Sequence, residues 1–106
     1  MCEQKIYSKF HDIIKVVNFI LSNNKNDCNE MRYLGIFRYV LNSLKEDYLF
    51  ILKNSYFNKS YRFWWIDFYS KTTYYRKRYI AVNSFVSLFE MIYENFNDCS
   101  VYLTYA

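Results

Sequence analysis

One glycine and no proline in 106 residues leave this chain almost without the residues that tight turns are made from. Sheet proteins need such residues at regular intervals, because they supply positive φ or a preset bend at little cost. Here asparagine supplies the punctuation, in 22-SNNKNDCN-29 and near Asn58 and Asn97. Between those points the apolar residues recur every three or four positions, the period of a helix with one buried face. The expected fold is therefore all-α, and a chain of this length holds one modest core, a single helical domain over residues 1–106. With 53% apolar and 24% aromatic residues, burial offsets the entropy of ordering, and a disordered chain is excluded.

The spacing predicts about five helices, near 3–22, 29–42, 43–57, 60–67 and 71–95. Ile6, Phe10, Ile13, Ile14, Val17, Ile20 and Leu21 form the apolar stripe of the first. Leu34, Phe37, Leu41 and Leu44, with Val40, mark the second, which carries Gly35 in its interior at a cost of about 1 kcal/mol against alanine. Ser43 and Glu46 read as a capping box that opens the third, where Leu49, Leu52 and Tyr56 face inward. Ser70 is a good N-cap for the long last helix, whose stripe is Tyr74, Ala81, Phe85, Leu88 and Ile92. Residues 1–42 are read as support helices and 43–95 as a helix-turn-helix region, with 96–106 as a packed or frayed tail.

The chain offers little to chemistry. His11 stands alone, Asp47, Asp67 and Glu90 form no recognisable pair, and no glycine-rich phosphate loop is possible with one glycine. No enzyme, cofactor or metal site is expected. The cysteines, Cys2, Cys28 and Cys99, are odd in number and form no CxxC pair, which gives no disulfide framework. A reducing cytosol is the expected compartment. Charges at Glu3, Lys5, Lys9 and Asp12 argue against a signal peptide, and no uncharged apolar run is long enough for a membrane span.

Charge is where the sequence becomes specific. The whole chain carries +4, but residues 53–80 hold seven basic residues against Asp67 alone, a net of +6 that leaves the remainder at −2. A basic patch on a near-neutral remainder is an electrostatic footprint for phosphate. Its centre is 60-SYRFWWIDFYSKTTYYRKRYIAVNSF-85, which places both tryptophans about ten residues before the Arg76-Lys77-Arg78 run. Adjacent helical residues differ by about 100°, so one of Trp64 and Trp65 is expected to anchor the core beneath the last helix and the other to be exposed. In a recognition helix, Lys71, Thr72 and Thr73 would offer groups to base edges and phosphates, and Arg76 shares the face of Thr72 and suits guanine. Tyr75 would meet a thymine methyl or a phosphate, while Lys77 and Arg78 would contact backbone phosphates or bridge to a neighbouring helix. Register places Arg78 nearest the core edge.

The residues 51-ILKNSYF-57, Ser60, Tyr61, 70-SKTTYYRKR-78, Ala81 and Phe85 together resemble the helix-turn-helix of sigma-70 region 4. They look most like the small sigma-like regulators of Firmicute phages, the ArpU type, and their mollicute relatives. The resemblance covers about residues 43–89. It departs from the family in the short helix, where Arg62-Phe63-Trp64-Trp65 stand for the usual Glu-Glu-Ile-Ala and the turn has no glycine, so the angle between the helices is left open. It implies a DNA-binding transcription regulator with its recognition helix at about 71–90. Double-stranded DNA is the implied partner, with RNA polymerase as a further one if the likeness extends to sigma-type contacts. The alternative is an all-helical protein–protein interaction module with no direct DNA binding. Lys71, Thr72, Tyr75 and Arg76 separate the two readings: exposed on one ridge in the first, covered by residues 1–42 or the tail in the second.

Overall fold

The computed structural model describes residues 3–23, 25, 27–58 and 60–95. It is all-helical, with no strand among the described residues. Four α-helices run as α1 (Glu3–Ser22), α2 (Cys28–Ser43), α3 (Glu46–Leu52) and α4 (Lys71–Asn95). The third continues into a π-helical turn, Lys53–Phe57, closed by Asn58 N–H donating to the Lys53 carbonyl at 2.7 Å. The expected tail, 96–106, lies outside the described residues.

The expected fourth helix, 60–67, does not form as an α-helix, while the expected fifth, 71–95, is α4. Residues 60–63 are irregular and only Trp64–Asp67 form a single 3₁₀ turn. Its bonds run from Trp64 N–H to the Tyr61 carbonyl, from Ile66 N–H to Phe63 and from Phe68 N–H to Trp65. Such i→i+3 turns are short because their side chains eclipse and their bonds are bent. A segment dense in large rings has no single stripe to bury, so an α-helix gains nothing over a tight turn held between two neighbours.

The helix starts also differ from expectation. The opening of α2 is capped by Asp27, one turn before Glu30, and not from Asn29. Glu30 N–H donates to the Asp27 carboxylate at 2.8 Å, and Asp27 N–H donates to the Glu30 carboxylate at 3.0 Å, a reciprocal box. Ser43 caps nothing. Its hydroxyl donates back to the Tyr39 carbonyl at 2.7 Å, which keeps it as the last residue of α2. Leu44 and Lys45 are extended, and α3 begins at Glu46 without a side-chain cap, helped by Glu46 and Asp47 at its positive end. Cys28, the first residue of α2, is disulfide-bonded, contrary to the expectation of a chain without disulfides. Cys2 and Cys99 lie outside the described residues. A disulfide weakens the argument for a reducing compartment.

α4 is the spine, packed against α1, α2 and α3. Phe10 of α1 meets Phe85 of α4 edge-on at 5.3 Å, and Phe37 of α2 meets the same ring at 5.4 Å. Ile36, Val40, Leu52, Val82 and Val86 fill the space around them. Gly35 is buried within α2, while Leu21 and half-buried Leu41, Leu44, Leu49 and Leu88 lie further out than their stripes suggest. A second, smaller core of Ile51, Trp64, Trp65 and Tyr74 forms where the 3₁₀ turn meets the start of α4. No helix among the described residues is long and apolar enough to cross a membrane.

Candidate nucleic-acid interface

The smaller core sets the position of the start of α4. Tyr74 is its centre. The Trp65 ring stacks on it at 4.7 Å and 6° between planes, and Trp64 meets it edge-on at 5.8 Å. Its hydroxyl shares a 2.8 Å hydrogen bond with Ser55 in the π-helical turn. Trp64 also lies edge-on to Phe50 of α3 at 5.4 Å. Both tryptophans are buried, at 7% and 8% exposure, so the expectation that one of the pair faces water is corrected. A 3₁₀ turn wedged between two helices has cover on both sides, which a surface α-helix lacks.

Ser70 caps α4 as expected. Thr73 N–H donates to the Ser70 hydroxyl at 3.2 Å, and that hydroxyl donates to Thr73 Oγ1 at 2.9 Å. Thr73 is thereby used in the cap and is half-buried, which removes it from the outward face. Lys71, Thr72, Tyr75 and Arg76 are all exposed, Tyr75 by 40%. They stand on the first two turns of one helix, where residues three and four apart are neighbours.

The rest of the basic run turns away. Lys77 points to α3 and is paired with the Asp47 carboxylate, its ammonium 5.9 Å from the Tyr69 ring. Asp47 also accepts from the Tyr69 hydroxyl. These two bonds, Lys77 first, hold the Asp47 carboxyl below its ordinary range. Tyr69 is pushed up to about 12, by burial first and then by the bond to Asp47 and its charge. Arg78 points to α1, with its guanidinium 5.1 Å from the Tyr7 ring, 4.9 Å from Tyr75 and 5.6 Å from Tyr74. Its Nε is buried without a hydrogen-bond partner, compensated by the faces of those rings. Nearby Tyr56 is pushed up to about 12 by burial, against the pull of Arg78. Of the seven residues expected at the interface, four stand outward together, one is in the cap, and Lys77 and Arg78 tie α4 to its neighbours.

Sequence reading assigned Asp47, considered only as a scattered acid, and Tyr69 and Tyr7 no part in positioning α4, because those roles depend on which helices flank it. Elsewhere, a hollow of about 310 Å³ lies between α1, α2 and α4, crossed by a Lys9–Glu90 ion pair at 3.2 Å. No group of three or more metal-ligating side chains gathers among the described residues. No protein-family model matches the chain, and comparison with curated proteins and with solved structures finds no similar one.

Proposed function

We propose that this chain is a DNA-binding protein of the transcription-regulator kind, and that the first two turns of α4 are its contact surface. The observation that carries the reading is the joint exposure of Lys71, Thr72, Tyr75 and Arg76, with no described residue of 1–42 lying over them. Their chemistry suits a polyanion: two cations with no ion pair among the described residues, a hydroxyl, a ring, and the positive end of a 25-residue helix. In this reading α4 acts as the recognition helix, supported by α3 and the 3₁₀ turn through Trp64, Trp65 and Tyr74. Of the four cations expected to meet DNA, Lys71 and Arg76 remain, because Lys77 and Arg78 are already engaged within the fold. Contact with RNA polymerase, which the resemblance implies, has no residue assigned to it.

Exposed apolar side chains at residues 61–68 favour a second reading, a protein-interaction module. Fluorescence anisotropy separates the two. The DNA reading expects duplexes selected from a random pool to bind at low salt, with affinity falling steeply as salt rises. Absence of duplex binding at low salt leaves the interaction module.

A further inference from the structure

Residues 61–68 carry more rings than the smaller core takes up. Tyr61, Phe63, Ile66 and Phe68 are each between 46% and 63% exposed, directly ahead of the α4 ridge. Two of them, Phe63 and Phe68, are braced by neighbouring rings. Phe68 leans edge-on against Phe50 at 5.3 Å and tilts toward Trp64 at 6.1 Å. Phe63 meets Trp65 edge-on at 6.3 Å, and Trp65 in turn meets Tyr75 of the ridge at 5.9 Å. A ring braced in this way loses little freedom when a ligand settles on it.

The surroundings of these rings are cationic. The Arg62 guanidinium lies 5.4 Å over the Phe63 ring, and Arg62, Lys71 and Arg76 are all exposed. Asp67 is the only acid between residues 60 and 80. An apolar patch rimmed by charge marks a partner site. Rimmed by cations, it asks for an anion. Made of rings that are 40% to 61% exposed at Phe63, Phe68 and Tyr75, two of them backed by a guanidinium, it suits flat π-surfaces. Single-stranded nucleic acid supplies both, as phosphates along its backbone and bases free to stack. A closed duplex hides its base faces and presents only phosphates and groove edges.

Resting on the DNA-binding reading of the ridge, we propose that Phe63, Phe68 and Tyr75 form a stacking platform for unpaired bases. The DNA this surface takes is then a strand left open beside a duplex, with the duplex on Lys71, Thr72 and Arg76 and the open bases on the rings.

The test is anisotropy with three labelled probes: a blunt duplex, the same duplex with an oligothymidine overhang of about eight nucleotides, and that overhang made abasic. The thymidine overhang should tighten binding about tenfold or more over the blunt duplex, and the abasic one should not. The Phe63→Ala/Phe68→Ala double variant should lose the gain and bind the blunt duplex as the parent does. Phe63→Trp, which keeps a ring there, should retain it. Phe19→Ala on α1, where the ring is 63% exposed far along the chain from the ridge, should change nothing. The platform is overturned if the abasic overhang helps as much as the thymidine one, if the double variant keeps the gain, or if blunt and overhung duplexes bind alike. Binding of the blunt duplex alone would keep the ridge and remove the platform. Ring-dependent binding of the thymidine-overhung probe without any binding of the blunt duplex would keep the platform and remove the duplex reading. Silence of all three probes at low salt removes both.

Discussion

Replacing Trp64 and Trp65 by alanine, one at a time, asks whether a single turn can bury two adjacent rings. On an α-helix the two would point about 100° apart, and the outward one would be nearly free to replace. In the 3₁₀ turn they are 7% and 8% exposed, so each variant deletes a buried indole. Loss of a buried large ring costs about 3–5 kcal/mol, to which the Trp65–Tyr74 stack contributes about 0.5–1.5. A domain of this size has roughly 5–15 kcal/mol to lose, so either variant should remain folded only marginally. The damage should be local at first. The tryptophans belong to the smaller core with Ile51 and Tyr74, while Phe10, Phe37 and Phe85 belong to the larger one. Urea titration followed by far-UV circular dichroism and by fluorescence of the remaining tryptophan measures both effects. The expected outcome is two shifts in the same range, with the fluorescence transition earlier than the dichroism transition. If either variant costs less than about 1 kcal/mol, that ring is a surface ring and the wedged turn is wrong.

Three smaller tests follow. The Asp47 carboxyl is held low in the folded state, so its stabilising effect is present above the ordinary value of 3.8 and is lost as the pH falls below it through the depressed folded value. Its side chain is 41% exposed, so the effect is at most about 1 kcal/mol; Asp47→Asn should flatten stability against pH in that acid range, and an unchanged slope would reject the pairing. Asp27→Ala removes one half of the α2 capping box and should cost about 1 kcal/mol by thermal melting, whereas Ser43→Ala should cost only a few tenths; the reverse order would reinstate a cap at Ser43. On DNA, Arg76→Ala should cost about 1–3 kcal/mol on a preferred site and lower the salt slope by about one unit, while Lys77→Ala should leave that slope unchanged. Equal salt slopes for the two variants would contradict the geometry of the ridge.

The parts of the fold that were legible are the ones with a period. The stripe Ile6, Phe10, Ile13, Val17 and Ile20 is buried along α1, and Ala81, Phe85 and Ile92 are buried along α4. The Ser70 cap was legible because a hydroxyl before a run of helix formers has one inexpensive use. Segment 60–69 was not. Six of its ten residues are aromatic and the other four share no repeat with them, so nothing in it distinguishes an α-turn from a 3₁₀ turn. The false cap at Ser43 had a different cause: its hydroxyl has two acceptable partners, and the Tyr39 carbonyl behind it competes with the amide ahead. Cys28 was unreadable for a third reason, since an odd count of cysteines says nothing about which of them pair.

The basic run shows how a linear motif misleads about a surface. Arg76, Lys77 and Arg78 are consecutive, and consecutive helical residues are turned by about 100°. Three cations in a row therefore cannot form one footprint on a helix that has neighbours. Here α3 lies on one side and α1 on another, so Lys77 finds Asp47 and Arg78 finds the rings of Tyr7, Tyr74 and Tyr75. Only Arg76 is left outward. The two inward cations would still bear on the proposed DNA contact, because they tie α4 to its neighbours and so help decide which residues form the ridge. In the proposed DNA reading, a polyanion would meet instead the cations that sequence spacing separates: Arg62 ahead of the 3₁₀ turn, Lys71 at the helix start and Arg76 beyond it. That is a sparse charge set around a dense set of rings, which is why base faces, more than phosphate charge, are expected to set what this surface selects.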